Sequence, residues 1–344
     1  MRFSAANRSS ARTRPPEISP ETSMKKTRQA IACLALLATA TAAAAQDWPS
    51  RATTVINPFS AGTTTDTVAR VVAEGLQKKY GTPFIVDSRP GAGGMIGTTL
   101  VARAHPDGST FGVSIAGPLV HNPLLYKRMA YDPAKDLTPL TLGVHQPCLL
   151  IASRELGVKT LPELIDVLKK NPGKYNYSYV GNGSLGHLVM TLLANKSGTQ
   201  IVPVMYAGAV QATTAVMTNE VQMGCLPAQA TMAQVRGDKV VPIAVSTAER
   251  AALLPEVPAL REFYPDIVGS AWMGFVAPGG MPAALAGRIS AAIGEVLRQP
   301  QVVELLRQQL MEPAPGTPAQ FKAFMQEELA RWKPVIVDNK ITAE

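Results

Sequence analysis

Three short stretches carry the residue types best suited to chemistry. Ser60-Ala61-Gly62-Thr63-Thr64-Thr65, Pro90–Gly97 and Gly181-Asn182-Gly183-Ser184 are together rich in glycine, serine and threonine. Each follows a strand pattern and precedes a helical one. The first turn of a helix has N–H groups with no intrahelical acceptor, and glycine lets other groups approach the backbone closely. Such turns can hold a carboxylate without a fixed cationic side chain. Capping and tight turning explain any one of them. Three together, all on the C-terminal ends of strands, point to anion capture.

Other chemistries fit less well. Gly91-Ala92-Gly93-Gly94-Met95-Ile96-Gly97 resembles a loosened dinucleotide fingerprint, but its third glycine comes one residue late, and Asp107 sits in a Pro-Asp-Gly turn unsuited to a ribose. Gly112-Val113-Ser114-Ile115-Ala116 resembles a nucleophile elbow with Ala in place of the last Gly. The alternative reading is therefore an exported serine hydrolase or transferase acting on a carboxyl ester. It would use Ser114 or Ser184, with a base drawn from His121, His145 or His187. Those three and His105 are the four histidines, none in H-E-x-x-H or H-x-x-x-H spacing; there is no C-x-x-C and no Walker A loop. Neither a metal nor a cofactor is expected.

The elements that must position these turns follow from periodicity. Thr53–Asn57, Phe84–Asp87 and Thr110–Ser114 read as strands. Between the first two, Val68, Val71, Val72 and Leu76 form one helical stripe that stops at Gly81. The pattern restarts with strands at Cys148–Ala152, Tyr175–Val180, Ile201–Met205, Val221–Leu226 and Lys239–Val245. Thr160 and Glu163 form a capping box, and Ser184 caps a helix carrying Leu185, Leu188 and Leu192. A late strand, Ala271–Ala277, precedes helices over Pro282–Leu297, Pro300–Leu310 and Thr317–Val337. The strand–helix–strand rhythm predicts two α/β units with parallel sheets and a helical tail. Ligands of such chains bind between the units.

The chain has 344 residues, 46% hydrophobic and 17% charged, which excludes a disordered chain and leaves room for about two domains. Its net charge of +8 is concentrated at the N-terminus. Residues 1–45 hold seven Lys/Arg and two acids, and the remainder carries 26 basic and 23 acidic residues, a net of +3. No nucleic-acid footprint is expected. Lys25, Lys26 and Arg28, the apolar stretch Ala30–Ala40 and the small residues Ala43-Ala44-Ala45 have the order of a secretory signal. Met24 is then the expected true start, residues 1–23 an upstream preface, and Gln46 the first residue after cleavage. Cys33 leaves with the signal. Cys148 and Cys225 remain, in an oxidising compartment where a pair can bridge; sequence leaves open whether they do.

An ordered set of motifs resembles the solute-binding proteins of tripartite tricarboxylate transporters, the Bug receptor family. It runs through Trp48-Pro49-Ser50-Arg51, Pro58-Phe59-x-x-Gly62-x-x-x-Asp66, Val86-Asp87-x-Arg89-Pro90-Gly91-Ala92-Gly93-Gly94 and His105-Pro106-Asp107-Gly108. Tyr131-Asp132-Pro133-x-Lys135-Asp136, Gly181-Asn182-Gly183-Ser184-x-x-His187 and Ala271-Trp272-x-Gly274-Phe275-x-Ala277-Pro278 complete it. The resemblance covers nearly all of the chain after residue 45.

It implies an α/β, type II periplasmic-binding-protein fold, two α/β lobes with a ligand cleft between them. Lobe 1 would be 46–147 completed by 270–344, and lobe 2 would be 148–269, with crossings near residues 148 and 270. It further implies a monomeric periplasmic receptor, not an enzyme, for a small mono- or dicarboxylate, serving the membrane components of such a transporter or sensing the ligand. Binding roles carry over to Phe59, Ser60, Gly62, Thr63, Asp66, Ser178, Gly183, Ser184 and His187.

The chain departs from the family pattern in three places. Gly62-Thr63 replaces a paired glycine. Met205-Tyr206-Ala207-Gly208 replaces Pro-Tyr-Lys-Gly and loses its cation. Gln222-Met223-Gly224-Cys225-Leu226-Pro227-Ala228 lacks the usual Asp, which would suit an amino-acid ammonium. These changes favour a non-amino carboxylate with an apolar or aromatic end.

Overall fold

A computed structural model describes residues 48–343. The signal segment, Cys33 and the start of the chain lie outside the described residues. Residues Trp48–Glu344 cluster as one unit holding two sheets.

The first sheet is built from β1 (Thr53–Asn57), β2 (Phe84–Ser88), β3 (Thr110–Ile115) and β4 (Leu137–Gln146). The second uses β5 (Cys148–Ser153), β6 (Asn176–Tyr179), β7 (Val202–Met205), β8 (Met223–Pro227) and β9 (Val240–Val245). The chain then returns to the first sheet with β10 (Ala271–Pro278) and the short β11 (Glu312–Pro313). The strand orders are β11-β4-β10-β3-β1-β2 and β7-β6-β8-β5-β9. The predicted parallel pairing holds for β1 with β2 and β3, and for β6 with β7 and β8. It fails around the returning strand: β10 is antiparallel to both β3 and β4, and β5 is antiparallel to β8 and β9. Both sheets are mixed.

The register places the sheets end to end. Ile115, at the C-terminal end of β3, pairs with Met273, and Gln146 of β4 pairs with Ala271. Cys148 of β5 pairs with Pro227 at the C-terminal end of β8. Only Pro147 separates β4 from β5. The C-terminal ends of the parallel strands of both sheets therefore meet at this crossing, the edge at which α/β sheets bind ligands.

Helices cover the sheets: α1 (Thr64–Tyr80), α2 (Met95–Ala102), the single turn α3 (Asn122–Leu125), α4 (Leu161–Lys170), α5 (Leu185–Ser197), α6 (Ala209–Met217), α7 (Ala228–Arg236), α8 (Ala283–Leu297), α9 (Pro300–Arg307) and α10 (Pro318–Asp338). α1 buries Val68, Ala69, Val72, Ala73 and Leu76 and ends at Gly81, whose φ of +68° a side chain would resist. Thr317 and Gln320 form a capping box at the start of α10. No described helix is long and apolar enough to cross a membrane.

α10 joins the two cores. Near its start Phe321 packs with Trp272 and Val101 beside the first sheet, and fills the space over Gly274, where a Cβ would lie 2.0 Å from its ring. Three to four turns later Trp332 and Ile336 belong to the core of the second sheet, with Leu185 and Leu188. Between them Glu328 accepts hydrogen bonds from Trp272 Nε1 at 3.0 Å and Trp332 Nε1 at 3.3 Å. Burial pushes the Glu328 carboxyl above its usual range, while the two indoles and Arg331 oppose the shift.

Cys148 and Cys225 are free and buried. They lie on the same face of adjacent strands but are offset by two residues: Cys148 pairs with Pro227, and Cys225 with Leu150. Burial and the neighbouring Cys148 thiol push the Cys225 thiol up.

Candidate ligand-binding site

The first turn, 58–66, is organised by Asp66. One carboxylate oxygen accepts from the Gly62 N–H at 2.9 Å and from Arg70 Nε at 2.9 Å; the other faces Asn57 Nδ2 at 3.4 Å. Burial raises the cost of its charge, but these donors outweigh it and hold the carboxyl below its usual range. Asp66 thus spends both oxygens on the turn. Ser60, Ala61 and Gly62 are exposed and Thr63 half-buried. The Thr63 hydroxyl donates to the Ser60 carbonyl at 2.7 Å, and Thr63 makes no side-chain cap at α1.

The second turn contains four consecutive left-handed residues, Gly91, Ala92, Gly93 and Gly94, with φ of 134°, 47°, 62° and 94°. The run ends at α2, whose N-cap Gly94 offers no side-chain acceptor. Gly94 is required by close approach as well. A Cβ there would lie 3.0 Å from Phe59 and 3.1 Å from Pro118. Phe59 and Pro118, the latter from the segment that follows β3, therefore both meet the second turn at Gly94.

That segment, Gly117–His121, is a π-turn, and it carries the contact between the two sheets' turns. His121 Nδ1 lies 2.8 Å from the Gly183 carbonyl oxygen. Leu125 packs on Gly183, where a Cβ would fall 2.2 Å from Leu125 Cδ1. The tail closes the same junction: Asn182 donates to the Thr342 carbonyl at 2.7 Å, and the Ala343 N–H donates to Leu125 at 3.2 Å. The sequence offers His121 only as a base for the alternative hydrolase; its place here depends on a pairing across 62 residues that no local spacing reveals.

In the third turn Ser184 caps α5, its Oγ accepting from the His187 N–H at 3.4 Å. The Gly183 N–H donates to His187 Nδ1 at 3.2 Å, and the His187 ring stacks on Tyr179 at 4.3 Å. Gly183 is buried with φ of +69°, so it is not the open mouth of a cleft that its glycine-rich context suggests. Ser178 stands apart from the turn. It lies inside β6 opposite Gly224, fully buried, and its Oγ has no partner among the described residues.

The structure thus joins Phe59 to Gly183 and His187 through Gly94, Pro118 and His121. Ser60, Gly62, Thr63 and Asp66 form one turn at the same edge. Residues 58–66, 90–97, 116–121, 180–187 and 205–209 contain no Lys or Arg. What they can offer an anion is N–H groups, hydroxyls and neutral imidazole. Beside the third turn, β7 and α6 expose Met205 (60%) and Val210 (72%). A cavity of about 460 Å³ lined by Ala248, Glu249, Arg250, Arg261 and Glu262 lies on the loop after β9. Its guanidinium groups already face its carboxylates, Arg250 to Glu262 at 2.6 Å and Arg261 to Glu249 at 4.0 Å. Ser114 is fully buried and shares a 3.0 Å hydrogen bond with Thr98, which removes it as an accessible nucleophile. Among the described residues no cluster of His, Cys, Asp or Glu could hold a metal ion.

A two-sheet α/β chain with turns free of Lys and Arg gathered at one crossing has the build of a solute receptor. The chain belongs to the tripartite tricarboxylate transporter receptor family, whose model matches residues 68–341. It is 31% identical over 294 residues to the protein BugT of Bordetella pertussis, covering 85% of this chain and 90% of that one. The structure of R. palustris Rpa4515 with adipate superposes with a TM-score of 0.80 at 31% identity, over 86% of this chain and 99% of the other. MatC (Rpa3494) of Rhodopseudomonas palustris, with bound malate, gives a TM-score of 0.74 at 30% identity, over 84% and 100%. The family is one of receptors, as the sequence motifs imply.

Proposed function

We propose that the protein is a periplasmic receptor that closes two lobes, one around each sheet, on a small carboxylate. It passes the ligand to the membrane components of a tripartite transporter or reports its presence, and it works as a monomer. The observation that carries this reading is the meeting of turns from both sheets at the crossing, through His121 and Gly183. The adipate and malate held by relatives support the ligand class. The order of residues in Met24–Ala45 supports export with cleavage before Gln46.

In this reading the Ser60 and Ser184 hydroxyls and those N–H groups of the two turns that are not bonded within the protein take the carboxylate, Gly62, Thr63 and Gly183 shape the turns, and Phe59 walls the cleft. Asp66 positions the first turn, and Ser178 supports the sheet. The exposed Met205 and Val210 favour a ligand with an apolar or aromatic end.

Calorimetry with adipate, malate and hexanoate tests the proposal. Stoichiometric binding without turnover is expected. Ser184→Ala is expected to weaken binding by about 0.5–3 kcal/mol, the range for one hydrogen bond to a neutral or charged partner. Failure of every carboxylate to bind would overturn the receptor reading; ester turnover would restore the hydrolase.

Closure also predicts an optical signal. Trp272 is 1% exposed at the crossing. Ligand addition is expected to change its emission as the lobes rotate. A change that survives intact in Trp272→Phe would assign the signal to another tryptophan.

A further inference from the structure

Two histidines bracket one residue, Gly183, each bonding to one of the two peptide units that meet at its Cα. The Gly183 carbonyl can only accept, so His121 Nδ1 at 2.8 Å carries a proton. The Gly183 N–H can only donate, so His187 Nδ1 at 3.2 Å presents a lone pair. The rings are therefore opposite tautomers: His121 is protonated on Nδ1, His187 on Nε2. Burial keeps both neutral by pulling each down to about 4.

Their outer nitrogens differ in the same way. His121 Nε2 is a sealed lone pair with no partner among the described residues. His187 Nε2 is a donor with no hydrogen-bond partner among the described residues, on a ring that remains 8% exposed at the third turn. We infer that His187 offers this Nε2–H to a carboxylate oxygen of the ligand, and that His121, reaching across from the first sheet, is the positioning residue that fixes the donor through the backbone conformation of Gly183. The inference rests on the receptor reading above.

The physical reason lies in the glycine. Gly183 joins two peptide units at its Cα and has no side chain to restrict how they turn there at φ +69°, so their orientation is set by what each bonds. His121 holds the carbonyl of the 183–184 unit, which narrows the φ/ψ range of Gly183 and so keeps the N–H of the 182–183 unit on His187 Nδ1. When the lobes part, His121 leaves, Gly183 is free to turn, and His187 loses the donor that dictates its tautomer. The ligand's N–H donor is then complete only in the closed arrangement, which couples closure to the grip on the anion.

Nitrogen-15 spectra of histidine-labelled protein, titrated in turn with adipate, malate and hexanoate, test this. In the complex His187 is expected as the Nε2–H tautomer and His121 as the Nδ1–H tautomer, with the His187 proton shifted and slowed in exchange by the carboxylate. His121→Leu is expected to lose at least tenfold in affinity and to leave His187 a mixture of tautomers. His121→Asn restores a donor to the Gly183 carbonyl and is expected to recover most of the affinity, which a merely space-filling role would not do. His187 found as the Nδ1–H tautomer in a complex, or parental affinity in a folded His121→Leu, overturns the inference and leaves the receptor reading standing. Should His121→Leu fail to fold, the tautomers of the parent complex decide alone. If none of the three ligands binds the parent, the receptor reading falls and this inference with it.

Discussion

Gly183→Val is expected to destabilise the protein by about 2–6 kcal/mol and to abolish measurable ligand binding. Two costs add. A β-branched residue at φ +69° is strained by about 1–3 kcal/mol, and forcing its side chain against Leu125, 2.2 Å from the would-be Cβ, costs about 1–3 kcal/mol more. The neighbouring Gly181→Ala separates the terms. Gly181 has a similar φ of +78° with nothing within 4 Å of a Cβ, so only the backbone cost remains. Urea unfolding of both variants measures the difference. Equal losses would mean that Leu125 yields freely and that the junction between the two sheets' turns is loose.

From sequence alone, the same substitution is expected to leave the fold intact. The glycine-rich turn is legible in the residues, and so is its place before a helix. What is not legible is the partner: Leu125 and His121 reach Gly183 across about 60 residues, and no periodicity encodes such a contact. The strands that the residues reveal are those bounded by turns, such as Thr53–Asn57. β4 escapes because Pro139 and Gly143 interrupt it and two register shifts in its pairing with β10 break any alternation. The parallel rhythm of the early strands likewise conceals that β10 enters antiparallel. Asp66 shows a different limit. The motif identifies it, but only the geometry shows both oxygens committed to Gly62, Arg70 and Asn57.

Stability is expected to fall by about 2–3 kcal/mol for each of His121 and His187 between pH 7 and pH 4.5. Both are pulled from 6.5 to about 4 by burial. As pH drops below 6.5 the unfolded chain takes up two protons that the folded chain refuses, so folding is penalised until the pH reaches about 4. Above 6.5 the stabilisation is fully present. His145, also lowered by burial, adds in the same direction. Glu328 opposes it, because its raised carboxyl gains a proton in the folded state first. Urea midpoints of the parent and of His121→Asn at pH 7 and 4.5 check the sign and the share. A parent whose stability is flat across this window would show that these imidazoles are hydrated.

The strand order also sets a timetable. β10 lies between β3 and β4, yet it begins 125 residues after β4 ends, and the whole second sheet is encoded in that interval. A chain emerging N-terminus first can complete the second sheet while the first still lacks its middle strand. Until Ala271–Pro278 arrives, β3 and β4 each present an unpaired edge, the template on which strands of other chains pair wrongly. A substitution that slows the arrival of β10 would therefore act first on the yield of folded protein, before any change in the finished molecule.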